Sequence, residues 1–196
     1  SVVDRDGEAL ISATRTRLEK GDRLSAFAHL SAIDRDFELS VEQKLEVMAL
    51  YRAIDETPAE DPLALLQSID REDGCRLYAF SRLHPEVSWE GRESIQRADC
   101  RLPPKHLNDV DANLTRYESP TYPSRALRAG EEGYCALMFD VSPQGRTDNV
   151  AIRCTDEVFE TSVRRTVRQW RYEPRMVDGE PAWRYNVVTS FPFRLR

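Results

Sequence analysis

Four cysteines and three histidines are the residues of this 196-residue chain best equipped for chemistry. Cys75, Cys100, Cys135 and Cys154 lack the short CxxC spacing of zinc or thioredoxin-like sites. His29, His84 and His106 are scattered, with no HExxH or other metal-ligand spacing. There is no GxSxG elbow and no phosphate-binding glycine loop. Cys75 with His84 is the nucleophile pair that can be proposed, and it requires a free thiol. The sequence therefore leads us to expect no catalytic residues, no metal and no cofactor, and a protein that is not an enzyme. What remains for four cysteines is pairing with one another, in three possible connectivities. Disulfides persist in oxidising compartments; four buried free thiols in a cytosolic protein are the competing reading.

Hydrophobic alternation narrows the choice. Cys135, Leu137, Phe139 and Val141 alternate with Ala136, Met138 and Asp140, the period of a strand. Ser142-Pro143-Gln144-Gly145 reads as a turn. Val150, Ile152 and Cys154 alternate with Ala151 and Arg153 in a second strand. One antiparallel register pairs Phe139 with Val150, Leu137 with Ile152 and Cys135 with Cys154, since each pair has the same positional sum. A one-residue slip puts the two apolar sets on opposite faces. Opposed Cβ atoms lie about 4.5–5.5 Å apart, so modest adjustment brings the sulfurs into bonding range. Geometry thus predicts Cys135–Cys154, and Cys75–Cys100 follows by elimination. The latter closes about 26 residues, worth roughly 3 kcal/mol by chain entropy.

The elements around this hairpin define an α+β chain. An α-helical module over 1–74 begins with a helix at about 6–20, whose apolar face is Ala9, Leu10, Ala13 and Leu18. Gly21-Asp22 breaks it, and Asp22 can cap a second helix carrying Leu24, Phe27, Ala28, Leu30 and Ile33. A third starts after Ser40. The first pair loosely resembles a tetratricopeptide hairpin, but such repeats bury their faces by stacking on neighbours and only one weak copy is present, so a small helical bundle is the preferred reading. A short helix is expected near 63–69. Residues 75–116 read as a disulfide-tied irregular connector, in which 77–83 fits either a helical turn or a strand; His84-Pro85 ends that element. Residues 102–120 read as a linker or irregular crossing.

Residues 117–196 are the specific part. A short helix with proline at its start and glycine past its end is expected over 122–130. The hairpin follows. Asp156 can cap a helix whose apolar stripe is Phe159, Val163, Val167 and Trp170. Arg164, Arg165, Arg168 and Arg171 fall largely off that stripe, on a solvated face. The formal net charge of −6 argues against nucleic acid as their partner. Asp178-Gly179 turns the chain into a final strand at about 183–195, with Val187, Thr189, Phe191, Phe193 and Leu195 on one side. Pro192 lacks an amide donor, which puts this strand at an edge or at a bulge. The order is ββαβ: a three-stranded antiparallel sheet with one helix across a face.

This segment resembles the C-terminal domain of the TonB family. The likeness is carried by Tyr122-Pro123, Gly133, the run Phe139-Asp140-Val141-Ser142-Pro143-Gln144-Gly145-Arg146, Asp148-Asn149-Val150, Trp170-Arg171-Tyr172-Glu173-Pro174 and Phe191-Pro192-Phe193-Arg194-Leu195. It covers about 117–196. TonB proteins are anchored in the inner membrane of Gram-negative bacteria, cross the periplasm and hold the TonB box of outer-membrane receptors, transmitting energy from a proton-driven motor. The resemblance implies strand addition of such a peptide to the sheet edge. It places the edge at the final strand, with Asn186, Val187, Val188, Thr189 and Ser190 as the contact stretch. It further implies a periplasmic location, with inner-membrane anchoring through a segment absent from these residues. Inner-membrane motor proteins are partners through that same segment, and the open edge makes a homodimer plausible. Two family features, the membrane helix and the long Pro-rich spacer, are not found within the 196 residues. A second reading is therefore kept: a periplasmic adaptor or scaffold using a TonB-type module without energy coupling.

Overall fold

The computed structural model describes residues 7–33, 37–96, 100 and 112–195. It divides into two units, one formed by Ser1–Phe37 with Ala49–Lys105 and the other by Glu38–Met48 with His106–Arg196.

The first unit is helical: α1 (Gly7–Glu19), α2 (Arg23–Ala32), the later turns of α3 (Val41–Glu56), α4 (Pro62–Ser68) and α5 (Gly74–Leu83). Aspartates start three of these helices. Asp22 accepts from the Ser25 amide, Asp61 from those of Leu63 and Ala64, and Asp73 from that of Arg76, which occupies donors the helix cannot use itself. Residues 77–83, which fit helix or strand, are thus helical, with Asp73 as the deciding signal. Leu24, Ala28, Leu66, Ile69, Leu77, Ala79 and Phe80 form the buried cluster. Cys75 and Cys100 are joined by a disulfide, as elimination required. No helix is long and apolar enough to cross a membrane among the described residues.

The second unit carries the sheet. Its elements are β1 (Leu114–Arg116), α6 (Ser124–Ala129), β2 (Gly133–Val141), β3 (Thr147–Cys154), α7 (Glu160–Val167), β4 (Arg171–Tyr172), β5 (Arg175–Val177), β6 (Glu180–Ala182) and β7 (Arg184–Phe193). The main sheet has the order β3-β2-β7, antiparallel throughout. α6 ends at Gly130, whose left-handed φ of 68° lets the Glu131 amide bond back to the Ala126 carbonyl. The expected stripe of the last helix is fully buried: Phe159, Val163, Val167 and Trp170 pack with Cys135, Leu137, Phe139, Val141 and Ile152. That helix is shorter than its stripe. A 3-10 turn over Glu157–Phe159, capped by Asp156, precedes α7, and Trp170 lies beyond α7.

Three further features depart from the expected segment. Asp178 and Gly179, both at positive φ, make the turn of a small β5–β6 hairpin before the final strand begins. β1 pairs with β4, so part of the expected 102–120 crossing is a short strand; its residues 102–111 lie outside the described residues. The Cys135–Cys154 and Leu137–Ile152 pairs stand in the predicted register, and Cys135 and Cys154 are disulfide-bonded. The predicted Phe139–Val150 pair is not formed. The register shifts between Met138 and Asp140, where Asn149 takes a φ of 45° and inserts an extra residue into β3.

Candidate partner-binding edge

β7 is an outer strand of the three-stranded sheet, and its far side has no strand partner among the described residues. Its inner side is held against β2 from Phe193 opposite Gly133 to Arg184 opposite Val141. Aromatic packing fixes it from one face. Phe193 stacks on Phe159 with ring centroids 4.6 Å apart, and Phe191 meets Trp170 at 5.3 Å. The Trp170 indole donates to the Glu118 carbonyl, so the large side chain behind β7 is satisfied as well as buried.

Gly133 and Gly145 permit this packing. A Cβ on Gly133 would lie 2.2 Å from the Phe159 ring. A Cβ on Gly145 would lie 2.1 Å from the Tyr172 carbonyl oxygen, and the Tyr172 amide donates to the Gly145 carbonyl at 2.9 Å. Burial pushes the Tyr172 phenol well above the usual tyrosine value.

The five residues expected to meet a partner form one continuous stretch of β7. Val187, Val188, Thr189 and Ser190 stand opposite Phe139, Met138, Leu137 and Ala136 of β2. Val187 packs against the core beneath α7, whereas Val188 and Ser190 face away from it and are exposed, Val188 by 59%. Asn186 differs from its four neighbours. It sits at a second bulge, where the β2–β7 register shifts, with a φ of 57°.

Both bulges are bonded to one carboxylate. Asp140, on the central strand and fully buried, accepts from the Asn186 amide through Oδ1 at 3.1 Å. Its Oδ2 accepts from Asn149 Nδ2 at 3.0 Å and from Lys44 Nζ at 3.0 Å. Lys44 is itself fully buried and also donates to the Leu39 carbonyl at 2.6 Å. Residues 38–48 are tied to the sheet a second time where Arg153 donates to the Leu45 carbonyl. Ser40 and Gln43 form a reciprocal cap at the start of α3, which sets the turn carrying Lys44. Tyr185, beside the second bulge, has its phenol pushed up by burial first and then by Glu38 and Asp140, with Arg175 opposing. β2 is buried on both faces from Leu137 to Val141, which explains how an aspartate inside it reaches zero exposure.

Sequence reasoning found the edge strand and missed this cluster. Lys44 reads as an ordinary solvated residue of an amphipathic helix. The available signal was Asp140 itself, a charge between Phe139 and Val141 in an otherwise apolar strand. Of the helix arginines, Arg164 is paired with Glu160 at 2.6 Å and Arg171 donates to the Arg168 and Trp170 carbonyls at the end of the helical turn. Arg165 and Arg168 are exposed.

Residues 118–195 match the family model described as "Gram-negative bacterial TonB protein C-terminal". Protein TonB of Escherichia coli K12 is 46% identical over 78 residues, which are 39% of this chain and 30% of that protein. Protein TonB of Pseudomonas aeruginosa is 33% identical over 81 residues, 40% of this chain and 24% of that protein. The chain thus spans about a quarter to a third of the length of these curated relatives. A solution NMR structure of the P. aeruginosa TonB C-terminal domain aligns over 45% of this chain and 91% of its own, at 31% identity and a TM-score of 0.39.

Proposed function

We propose that this chain is the periplasmic portion of a TonB-like transducer that holds peptides of outer-membrane receptors by strand addition to β7, in support of energy-dependent transport. The observation that carries the reading is the position of β7 at the sheet edge, with Val187–Ser190 in one uninterrupted run beside the TonB-type core. An edge strand offers a row of backbone donors and acceptors to an extended peptide, and alternate side chains supply selectivity. Val188 and Ser190, exposed on one face, are available to read the peptide's side chains. The disulfides suit an oxidising periplasm. Inner-membrane anchoring, contact with motor proteins and pairing of two copies through the same edge belong to this proposal.

The test is titration of the 15N-labelled chain with synthetic TonB-box peptides. Amide shifts centred on Asn186–Ser190 with saturable one-to-one binding are expected. No binding at millimolar peptide refutes the reading.

The folded helical unit in front of the TonB-type segment favours a second reading, an adaptor or scaffold without energy coupling. The two separate in cells. Loss of receptor-dependent uptake on deletion of the gene supports transduction; unchanged uptake supports the adaptor.

A further inference from the structure

We infer that Lys44, a residue outside the TonB-type segment, is a positioning residue for the partner-binding edge and acts through Asp140 on the bulge at Asn186. The inference rests on the strand-addition reading for its link to a partner, but not for its structural content.

In an antiparallel strand, successive residues turn their backbone groups alternately toward the neighbour and away from it. A bulge shifts that alternation by one residue. On β7 the shift occurs at Asn186, so residues 187–193 present one unbroken phase to an added strand, and the bulge marks where the phase ends. The Asn186 amide is held by the side chain of a β2 residue, Asp140 Oδ1. The bulge is therefore as well placed as that carboxylate. The carboxylate is placed by Asn149 from one neighbouring strand and by Lys44 from α3.

Lys44 supplies what neither asparagine can, a positive charge at 3.0 Å in a site with no exposure on either partner. Its removal leaves an uncompensated buried carboxylate, which opening to water relieves. That opening weakens Asp140 as the acceptor for the Asn186 amide and loosens the bulge. Residues 38–48 thereby set the phase of the edge from outside the sheet.

The test compares the full chain with Lys44→Met, Lys44→Arg and the double variant Lys44→Met/Asp140→Asn, reading amide hydrogen exchange and peptide affinity. In Lys44→Met, exchange of the Asn186 amide relative to that of Ala151, which is buried opposite Met138 in the β2–β3 ladder, rises about tenfold, the scale of one weakened buried hydrogen bond. Lys44→Arg keeps the charge and the protection. The double variant has no buried charge but retains an acceptor for the Asn186 amide, so protection returns. Peptide affinity follows the same order. Unchanged relative exchange in Lys44→Met, or failure of the double variant to restore it, overturns the inference. Should Lys44→Met not fold, the double variant decides: it must fold with Asn186 protected. A loosened Asn186 with undiminished peptide affinity overturns the link to the edge. A parent chain that binds no peptide refutes strand addition, while the exchange measurement still decides the role of Lys44.

Discussion

Lys44 of α3 and Asp140 of the central strand, 96 residues apart in sequence, form an ion pair at 3.0 Å in which neither side chain is exposed. Taking both charges out of water costs several kcal/mol per ion, and the pair offsets this only with full hydrogen bonding. Here Asp140 also accepts from Asn149 and Asn186, and Lys44 also donates to Leu39.

Removing one charge is therefore costly. Asp140→Leu or Lys44→Met is expected to lower unfolding free energy by about 3–5 kcal/mol in urea denaturation. The double variant Lys44→Met/Asp140→Leu recovers part of this, and remains about 1–3 kcal/mol below the parent because the Asn186 amide has lost its acceptor. A double variant as weak as the sum of the two singles contradicts the pairing.

The two disulfides act on the unfolded chain. Cys135 and Cys154 are separated by 19 positions in sequence, and Cys75 and Cys100 by 25. Replacing either pair by serine is expected to cost about 3 kcal/mol. Loss of Cys135–Cys154 falls on the hairpin, and loss of Cys75–Cys100 on the helical unit. Amide exchange in the two segments distinguishes them.

Gly145 and Gly133 differ in how a methyl group can be accommodated. Gly145→Ala combines a φ of 74° with a Cβ 2.1 Å from a backbone oxygen, and backbone cannot swing aside. It is expected to cost more than the roughly 1–3 kcal/mol of left-handed strain alone. Gly133→Ala meets the Phe159 ring in the core and costs about 1–3 kcal/mol through overpacking. Gly130→Ala, with open space around its Cβ, costs only the left-handed strain. Of the three variants, Gly145→Ala should have the lowest thermal midpoint.

His29 couples stability to pH. Burial first, then Arg17, holds its pKa below 6.5, against opposing effects of Asp22 and the Ala13 backbone. The unfolded chain then binds the proton more readily than the folded one. Its contribution to stability is fully present above pH 6.5 and is lost as pH falls from there to the depressed folded value. His29→Gln should flatten the thermal midpoint between pH 7 and about pH 5. An unchanged slope removes His29 from the explanation.

Val188 tests the edge without touching the core. It is exposed, so Val188→Lys should change stability by less than about 0.5 kcal/mol. Strand addition at this position predicts weaker peptide binding in the same variant, read by calorimetry. Equal affinity in parent and variant places the peptide elsewhere.

Local pattern determined much of this protein. Period-two alternation gave β2 and β3, the stripe at Phe159, Val163, Val167 and Trp170 gave the buried helix face, and register alone paired Cys135 with Cys154. These features depend on neighbours close in sequence, whose spacing is written in the chain. The bulges at Asn149 and Asn186 were not legible, because an extra residue in a strand is recognised only from its partner strand. Lys44 was still less so. A lysine on a helix is solvated by default, and only a carboxylate brought from 96 positions away makes its burial tolerable. The sequence determined the strand that offers an edge; the tertiary structure decided how the bulge on that edge is held.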